Sequence, residues 1–110
     1  MIIWNDKMLV TDEAQKNLKK IKKKIEKPDK IRFGAYLITL SSNGTDLFDI
    51  YNLQFFPVKH FMEEGYDANI VGVAEDKEAA EKLAGSICLT FNNKFGKVCR
   101  EDIIKYFNEV

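Results

Sequence analysis

The chain has 110 residues, of which 45% are hydrophobic and 31% are charged, and its 17 basic residues balance 17 acidic ones. This is the length of one ordinary domain, 1–110, and the apolar content excludes a disordered chain. The formal net charge of zero excludes a general polycation, so any electrostatic function must come from local asymmetry.

The first thirty residues predict a hairpin followed by a helix. Residues 2–4 and 8–10 are short β-prone runs around Asn-Asp-Lys, which predicts two strands joined by a turn. Thr11 is a suitable helix N-cap because its hydroxyl can accept a hydrogen bond from the first turn. The helix is expected over 12–27 and ends before Pro28.

The next segment carries the strongest strand signal. Residues 33–40 (FGAYLITL) are apolar on both alternating faces, which predicts a central strand covered on both faces, or on one face with a partner chain on the other. The turn 41–46 contains Asn-Gly, the strongest short hairpin signal, and strand 47–53 returns from it.

The second half alternates helices with one strand. A short helix is predicted over 57–64 and a strand over 69–74. Asp76 then caps an amphipathic helix that Gly96 terminates, and a last helix covers 101–108. Apolar residues of the long helix recur at helical spacing: Ala80, Leu83, Ala84, Ile87, Cys88, Phe91 and Phe95.

The predicted order is therefore β-β-α-β-β-α-β-α-α. It indicates a single two-layer α+β domain with a mostly antiparallel sheet of about four or five strands and helices packed mainly on one face. The run from 47 to 74 fits one right-handed parallel crossover.

The first helix is the most conspicuous feature of the chain. Its apolar residues lie on a narrow arc: Ala14, Leu18, Ile21 and Ile25. The opposite face carries the residues that are candidates for contact with nucleic acid or an acidic partner: Lys16, Lys20, Lys23 and Lys27. Segment 11–30 holds eight lysines against four acidic residues, enough to attract phosphates.

Two absences weaken the nucleic-acid interpretation of this lysine face. It has no arginine for bidentate recognition and no interleaved aromatic residue for stacking on a base. The alternative is a solvated face of an ordinary amphipathic helix. Segment 45–82 carries nine acidic residues against three lysines, so surfaces of opposite charge can pair within the molecule, between copies of it or with other proteins. Self-association is therefore at least as natural an expectation as nucleic-acid binding.

Two isolated residues are weak candidates for catalysis. Asp49 interrupts an apolar run and His60 is the only histidine. A general base needs a positioned partner, and a metal needs several ligands. The favoured interpretation places Asp49 on a solvent-exposed strand face and His60 at a half-exposed helix position. No catalytic residue, cofactor or metal site is predicted.

Residues 53–57 form an aromatic-rich run, with Phe61 and Tyr66 close in sequence. An uncovered part of it would mark a protein–protein surface, although use in the core is commoner. Gly72 is expected to permit close helix packing, and Glu75 and Asp76 would repel an anion at the following helix.

Two motifs carry a resemblance to known proteins. With YLITLSSNG over 36–44 and NIVGVAEDKEAAEKL over 69–83, the chain resembles small uncharacterised bacterial proteins, mostly from Firmicutes, that have a Y-L-I-T-L strand and a later V-x-G-x-A strand entering a helix. The similarity covers the central half of the chain. These are packing patterns, so the resemblance implies no activity and no functional residues. Glu75-Asp76 stands where a glycine-rich turn is expected.

These observations lead to one main hypothesis and two alternatives. The main hypothesis is a non-catalytic domain that acts through protein–protein contact or self-association, because catalytic motifs are missing, charge is distributed unevenly and aromatic residues are in excess. A cytoplasmic location is expected because neither a leader sequence nor a membrane span is predicted. The first alternative is a nucleic-acid-binding accessory protein that uses the lysine face. The second is a small enzyme that uses Asp49 or His60.

Overall fold

The computed structural model describes residues 1–26 (24 and 26 by backbone alone), 34–41, 47–57, 59, 61, 63 and 67–108. In chain order the elements are β1 Ile2–Val10, α1 Asp12–Glu26, β2 Tyr36–Leu40, β3 Phe48–Asn52, a 3₁₀ turn Leu53–Phe55, β4 Ala68–Ala74, α2 Lys77–Phe95 and α3 Arg100–Asn108. The predicted α+β class is confirmed. Most of the predicted helix 57–64 and the turn 42–46 lie outside the described residues.

The four strands form one mixed sheet in the order β1-β4-β2-β3. β2 pairs antiparallel with β3 and with β4, whereas β1 pairs parallel with β4. The predicted hairpin of β2 and β3 is thereby confirmed. β3 and β4 run in the same direction because both are antiparallel to β2, as the predicted crossover requires, and β2 lies between them.

The prediction of an N-terminal hairpin is wrong. Both short runs belong to the single strand β1, where Trp4 is paired with Ile70 and Leu9 with Gly72. Five residues of β1 therefore advance along two residues of β4, which leaves three extra residues in a bulge. Asn-Asp-Lys lacks the glycine that a tight two-residue turn favours, and the Asn5 side chain is buried in the bulge instead.

Helices cover both faces of the sheet. The apolar stripe of α1 packs on one face with Leu37 and Val73 of the sheet. α2 and α3 pack on the other face against Ile38 and Val71. Two of the three described helices thus share one face, as predicted, while the place of α1 on the opposite face was not predicted. β2 is covered on both sides, and Leu37 and Ile38 are completely buried.

The predicted caps at Thr11, Asp76 and Gly96 are present, whereas the predicted end of the first helix at 27–28 lies outside the described residues. Ala14 N–H donates to Thr11 Oγ1 at 3.3 Å, and Ala79 N–H donates to Asp76 Oδ1 at 2.7 Å. Gly96 ends α2 in the left-handed conformation with φ of 75°. The two N-terminal caps fix where α1 begins after β1 and where α2 begins after β4.

Candidate interaction groove

The lysine face of α1 is exposed, as predicted. Lys16, Lys20 and Lys23 lie in solvent, whereas Lys27 lies outside the described residues. The ammonium of Lys16 pairs with the Glu13 carboxylate at 3.0 Å on the same helix. The face therefore offers several cations to a polyanion, but one of them already has an acidic neighbour.

One aromatic residue, which the sequence did not place near α1, lies close to another lysine of this helix. Lys22 Nζ lies 5.4 Å from the centroid of the Trp4 ring. Trp4 comes from β1 and is partly buried under α1, where it packs with the core. Its stacking surface is therefore mostly used inside the protein.

The first turns of α1 and α2 lie at the carboxyl end of the parallel strands. Adjacent strands whose helices go to opposite faces form the crevice where many α/β proteins bind phosphates. Here Thr11 Oγ1 donates to Glu75 Oε2 at 2.5 Å, and Asp76 caps α2. Two carboxylates of the chain itself occupy the positions at which an anion would be attracted.

Of the two candidates for catalysis, only Asp49 lies within the described residues. Asp49 lies on β3 and stands opposite Thr39 of β2 in the strand register. Burial, and then the charge of Asp49, raise the pKa of the nearby Tyr51 phenol. His60 lies outside the described residues. Burial also raises the pKa of the Cys88 thiol, which reduces its nucleophilicity at neutral pH. Within the described part of the chain, no group of three metal-ligating side chains occurs.

A cavity of about 240 Å³ lies between β1, α2 and α3. We call it the groove. It is lined by Lys7 and Leu9 of β1, by Ile87, Thr90, Phe91 and Lys94 of α2, and by Tyr106 and Phe107 of α3. None of these residues is acidic.

Aromatic rings build the floor and one wall of the groove. Phe91 is buried and meets the Tyr106 ring edge to face, with centroids 5.3 Å apart. Phe95 stands one turn further along α2, 5.7 Å from Phe91. The rim remains apolar and open to solvent, because Leu9 is 44% exposed and Tyr106 38%, and the neighbouring Phe95 is 48% exposed. Phe95 was predicted to continue the buried stripe, and its exposure is a departure from that pattern.

Two lysines add positive charge to this apolar surface. Lys7 Nζ lies 4.5 Å from the centroid of the Tyr106 ring and donates to Tyr106 O at 2.7 Å. Lys94 Nζ lies 5.4 Å from the centroid of the Phe95 ring. Both ammonium groups thus lie near aromatic rings at the edge of the groove.

The bulge of β1 holds the α3 wall in place. Asn5 Nδ2 donates to Phe107 O at 2.7 Å and to Asn69 Oδ1 at 3.1 Å. Asn69 Nδ2 in turn donates to Asn108 Oδ1 at 3.1 Å. The last turn of α3 therefore receives donors from β1 and β4, and the donor from Asn5 replaces the missing intrahelical partner of the Phe107 carbonyl.

Sequence reasoning missed the groove and placed the apolar surface elsewhere. Phe56 and Phe61 of the aromatic-rich run are buried in the core, and only Phe55, at 75%, is strongly exposed. Tyr66 lies outside the described residues. The groove residues come from segments up to a hundred residues apart, so only the excess of apolar residues late in α2 could have signalled it.

Comparison of the chain with protein-family models, with curated proteins and with solved structures finds no match. The resemblance to small bacterial proteins stays a prediction. None of the described helices has the length and apolar character needed to cross a membrane. The function proposed for this chain therefore rests on the residues that line the groove.

Proposed function

We propose that this protein is a non-catalytic cytoplasmic domain that acts through protein–protein contact at the groove. The observation that supports it is the combination of an apolar floor with two partly exposed lining residues, Leu9 and Tyr106, and the exposed ring of Phe95 beside Phe91. Contiguous exposed apolar surface with a polar rim is typical of protein interaction sites. Both cysteines are free thiols, which agrees with a reducing compartment.

The size of the groove favours a protein partner over an enclosed small molecule. Its volume of about 240 Å³ is below the roughly 300–1,000 Å³ of clefts that surround drug-sized ligands. Pockets that receive one or two large side chains from a partner are the usual energetic centres of protein interfaces. Tyr106 is an aromatic residue of the type enriched at such centres.

Photo-crosslinking tests the proposal. Benzoylphenylalanine is introduced at position 9 in the groove and, as a control, at position 15, an exposed glutamine of α1. We expect a discrete crosslinked product from position 9 in the native host, lost when Tyr106→Glu is added. A product of twice the chain mass identifies self-association. The proposal fails if position 9 gives no product that position 15 lacks and the protein stays monomeric in sedimentation equilibrium at high concentration.

The lysine face of α1 supports a second candidate function, nucleic-acid binding. The observation that favours it is the common exposure of Lys16, Lys20 and Lys23 on one helix face. Charge alone supplies sequence-independent affinity that falls steeply with salt. We rank nucleic-acid binding below protein contact at the groove, because Trp4 is partly buried and no other aromatic ring is found beside these lysines in the described region.

Fluorescence anisotropy with labelled DNA and RNA over a salt series tests this candidate. We expect the triple variant Lys16→Gln/Lys20→Gln/Lys23→Gln to reduce the slope of log K against log salt by about three. The control is Lys82→Gln/Lys97→Gln/Lys105→Gln, which removes the same charge from exposed positions on and after α2. Equal slopes in the two triple variants, or no binding at low salt, rule the candidate out.

A further inference from the structure

We propose that the partner of the groove is a segment of another protein in which large apolar side chains stand beside aspartate or glutamate residues. This inference rests on the proposed function and adds the chemistry of the partner. The apolar part follows from the floor formed by Ile87, Phe91 and Phe107. The acidic part follows from Lys7 and Lys94 at the rim.

The two ammonium groups have capacity left for an acidic partner. Lys7 uses one of its three donors on Tyr106 O, and Lys94 contacts only the ring of Phe95 among the described interactions. Neither lysine forms an ion pair within the described part of the chain. A carboxylate that reaches the rim while an apolar side chain fills the floor would meet unneutralised charge of opposite sign.

A second copy of this chain matches the groove less well. Among its exposed apolar residues, Phe55 is the most exposed, and its neighbours 52–57 contain no acidic residue. Met1 lies beside Asp67, but the terminal ammonium already pairs with that carboxylate at 3.3 Å. A knob and a pocket on different surfaces would also build an open chain of subunits instead of a closed dimer.

A displayed library of random short peptides tests the inference without assuming a partner. It is selected on the folded wild-type protein and counted again on Leu9→Ser/Tyr106→Ser, which reduces the apolar rim. Peptides lost on this variant are defined as groove binders. We expect groove binders to combine leucine, phenylalanine or tryptophan with an excess of aspartate and glutamate.

A matched pair of charge variants then isolates the two lysines. Lys7→Gln/Lys94→Gln keeps a donor for Tyr106 O at position 7, whereas Lys19→Gln/Lys23→Gln removes the same charge from α1. For synthesised groove binders we expect affinity to fall about two- to fivefold per lysine in the first variant and to stay unchanged in the second. Thermal unfolding of each variant verifies that it is folded.

The outcomes separate the inference from the proposed function. Groove binders without an acidic excess, or with equal affinity for both charge variants, overturn the acidic partner and leave protein binding at the groove standing. A library that yields no groove binders overturns both. Complete competition by dodecanoate, but not by dodecanol, at concentrations below micelle formation identifies a free anionic amphiphile as the ligand and also overturns the inference. Groove-dependent self-association overturns it in favour of a second copy.

Discussion

The side-chain nitrogen of Asn5, Nδ2, donates a hydrogen bond of 2.7 Å to the backbone carbonyl oxygen of Phe107, 102 positions later in the chain. One partner lies in the bulge of an edge strand and the other in the last turn of the C-terminal helix. Lys7, two residues along the same bulge, donates to the preceding carbonyl of Tyr106. The bulge thus acts as a C-terminal cap for α3 and positions one wall of the groove.

Removal of this cap is expected to destabilise the domain. Asn5→Ala leaves the Phe107 carbonyl and the Asn69 side chain without their buried donor and removes the acceptor for Lys7 N–H at 2.9 Å. We expect the free energy of unfolding to fall by about 1–3 kcal/mol, measured by urea denaturation. Asn93→Ala, at an exposed position of α2, is the control and should stay within about 0.5 kcal/mol of wild type. Equal effects of the two changes would contradict the cap.

The elements that sequence reasoning predicted correctly are those controlled by local patterns. The four-three-four spacing of α1, the capping side chains of Thr11 and Asp76, and Gly96 all act within a few residues of the structure that they specify. The apolar character of 36–40 on both faces likewise predicts a central strand without knowledge of its neighbours. Such signals depend little on tertiary context.

The bulge and the groove depend on contacts that no local pattern contains. Asn-Asp-Lys between β-prone runs is typical of a turn. Here it forms a bulge within one strand, which is stabilised by hydrogen bonds from the bulge to carbonyl groups of α3. In the same way, Phe95 fits the buried stripe by periodicity, but it remains 48% exposed because none of the described elements covers it fully at the end of α2. Exposure of such a residue is decided by the ends of neighbouring elements.

The glycine at position 72 allows close contact between β4, β2 and α2. A Cβ atom at Gly72 would lie 2.9 Å from Ile38 Cδ1 and 3.3 Å from Leu83 Cδ2, in a fully buried region. We expect Gly72→Ala to lower the free energy of unfolding by about 1–3 kcal/mol through overpacking. Adding Ile38→Val removes the nearest methyl group. The double variant should therefore lose less than the sum of the two single changes, and strict additivity in urea denaturation would show that the contact is not limiting.

The stability of the domain at alkaline pH is expected to depend on Tyr51. Burial, and then the charge of Asp49, raise the pKa of this phenol above its ordinary value of 10.0. The unfolded chain therefore releases this proton first as the pH rises, so it binds fewer protons than the folded protein. The contribution is fully present below pH 10.0 and is lost as the pH rises through the higher folded pKa.

Tyr51→Phe should remove this dependence. The stability of wild type relative to the variant is expected to decrease as the pH rises above about 10, measured by urea denaturation at each pH. Asp49→Asn should lower the pKa of Tyr51, measured by ultraviolet absorbance of tyrosinate in the folded protein. A difference between wild type and Tyr51→Phe that does not change with pH would contradict the raised pKa.

Two glycines of one helix are expected to respond in opposite directions to the same substitution. Gly85 lies in the middle of α2, exposed, with no atom within 4 Å of an added Cβ, whereas Gly96 ends the helix at φ of 75°. Gly85→Ala should raise the free energy of unfolding by about 0.5–1 kcal/mol, because alanine loses less backbone entropy in a helix. Gly96→Ala should lower it by about 1–2 kcal/mol, because the left-handed conformation brings Cβ close to the following carbonyl. Thermal or urea unfolding measures both. A destabilising Gly85→Ala would show that α2 is strained at that position, and a neutral Gly96→Ala would show that the helix ends equally well without its left-handed cap.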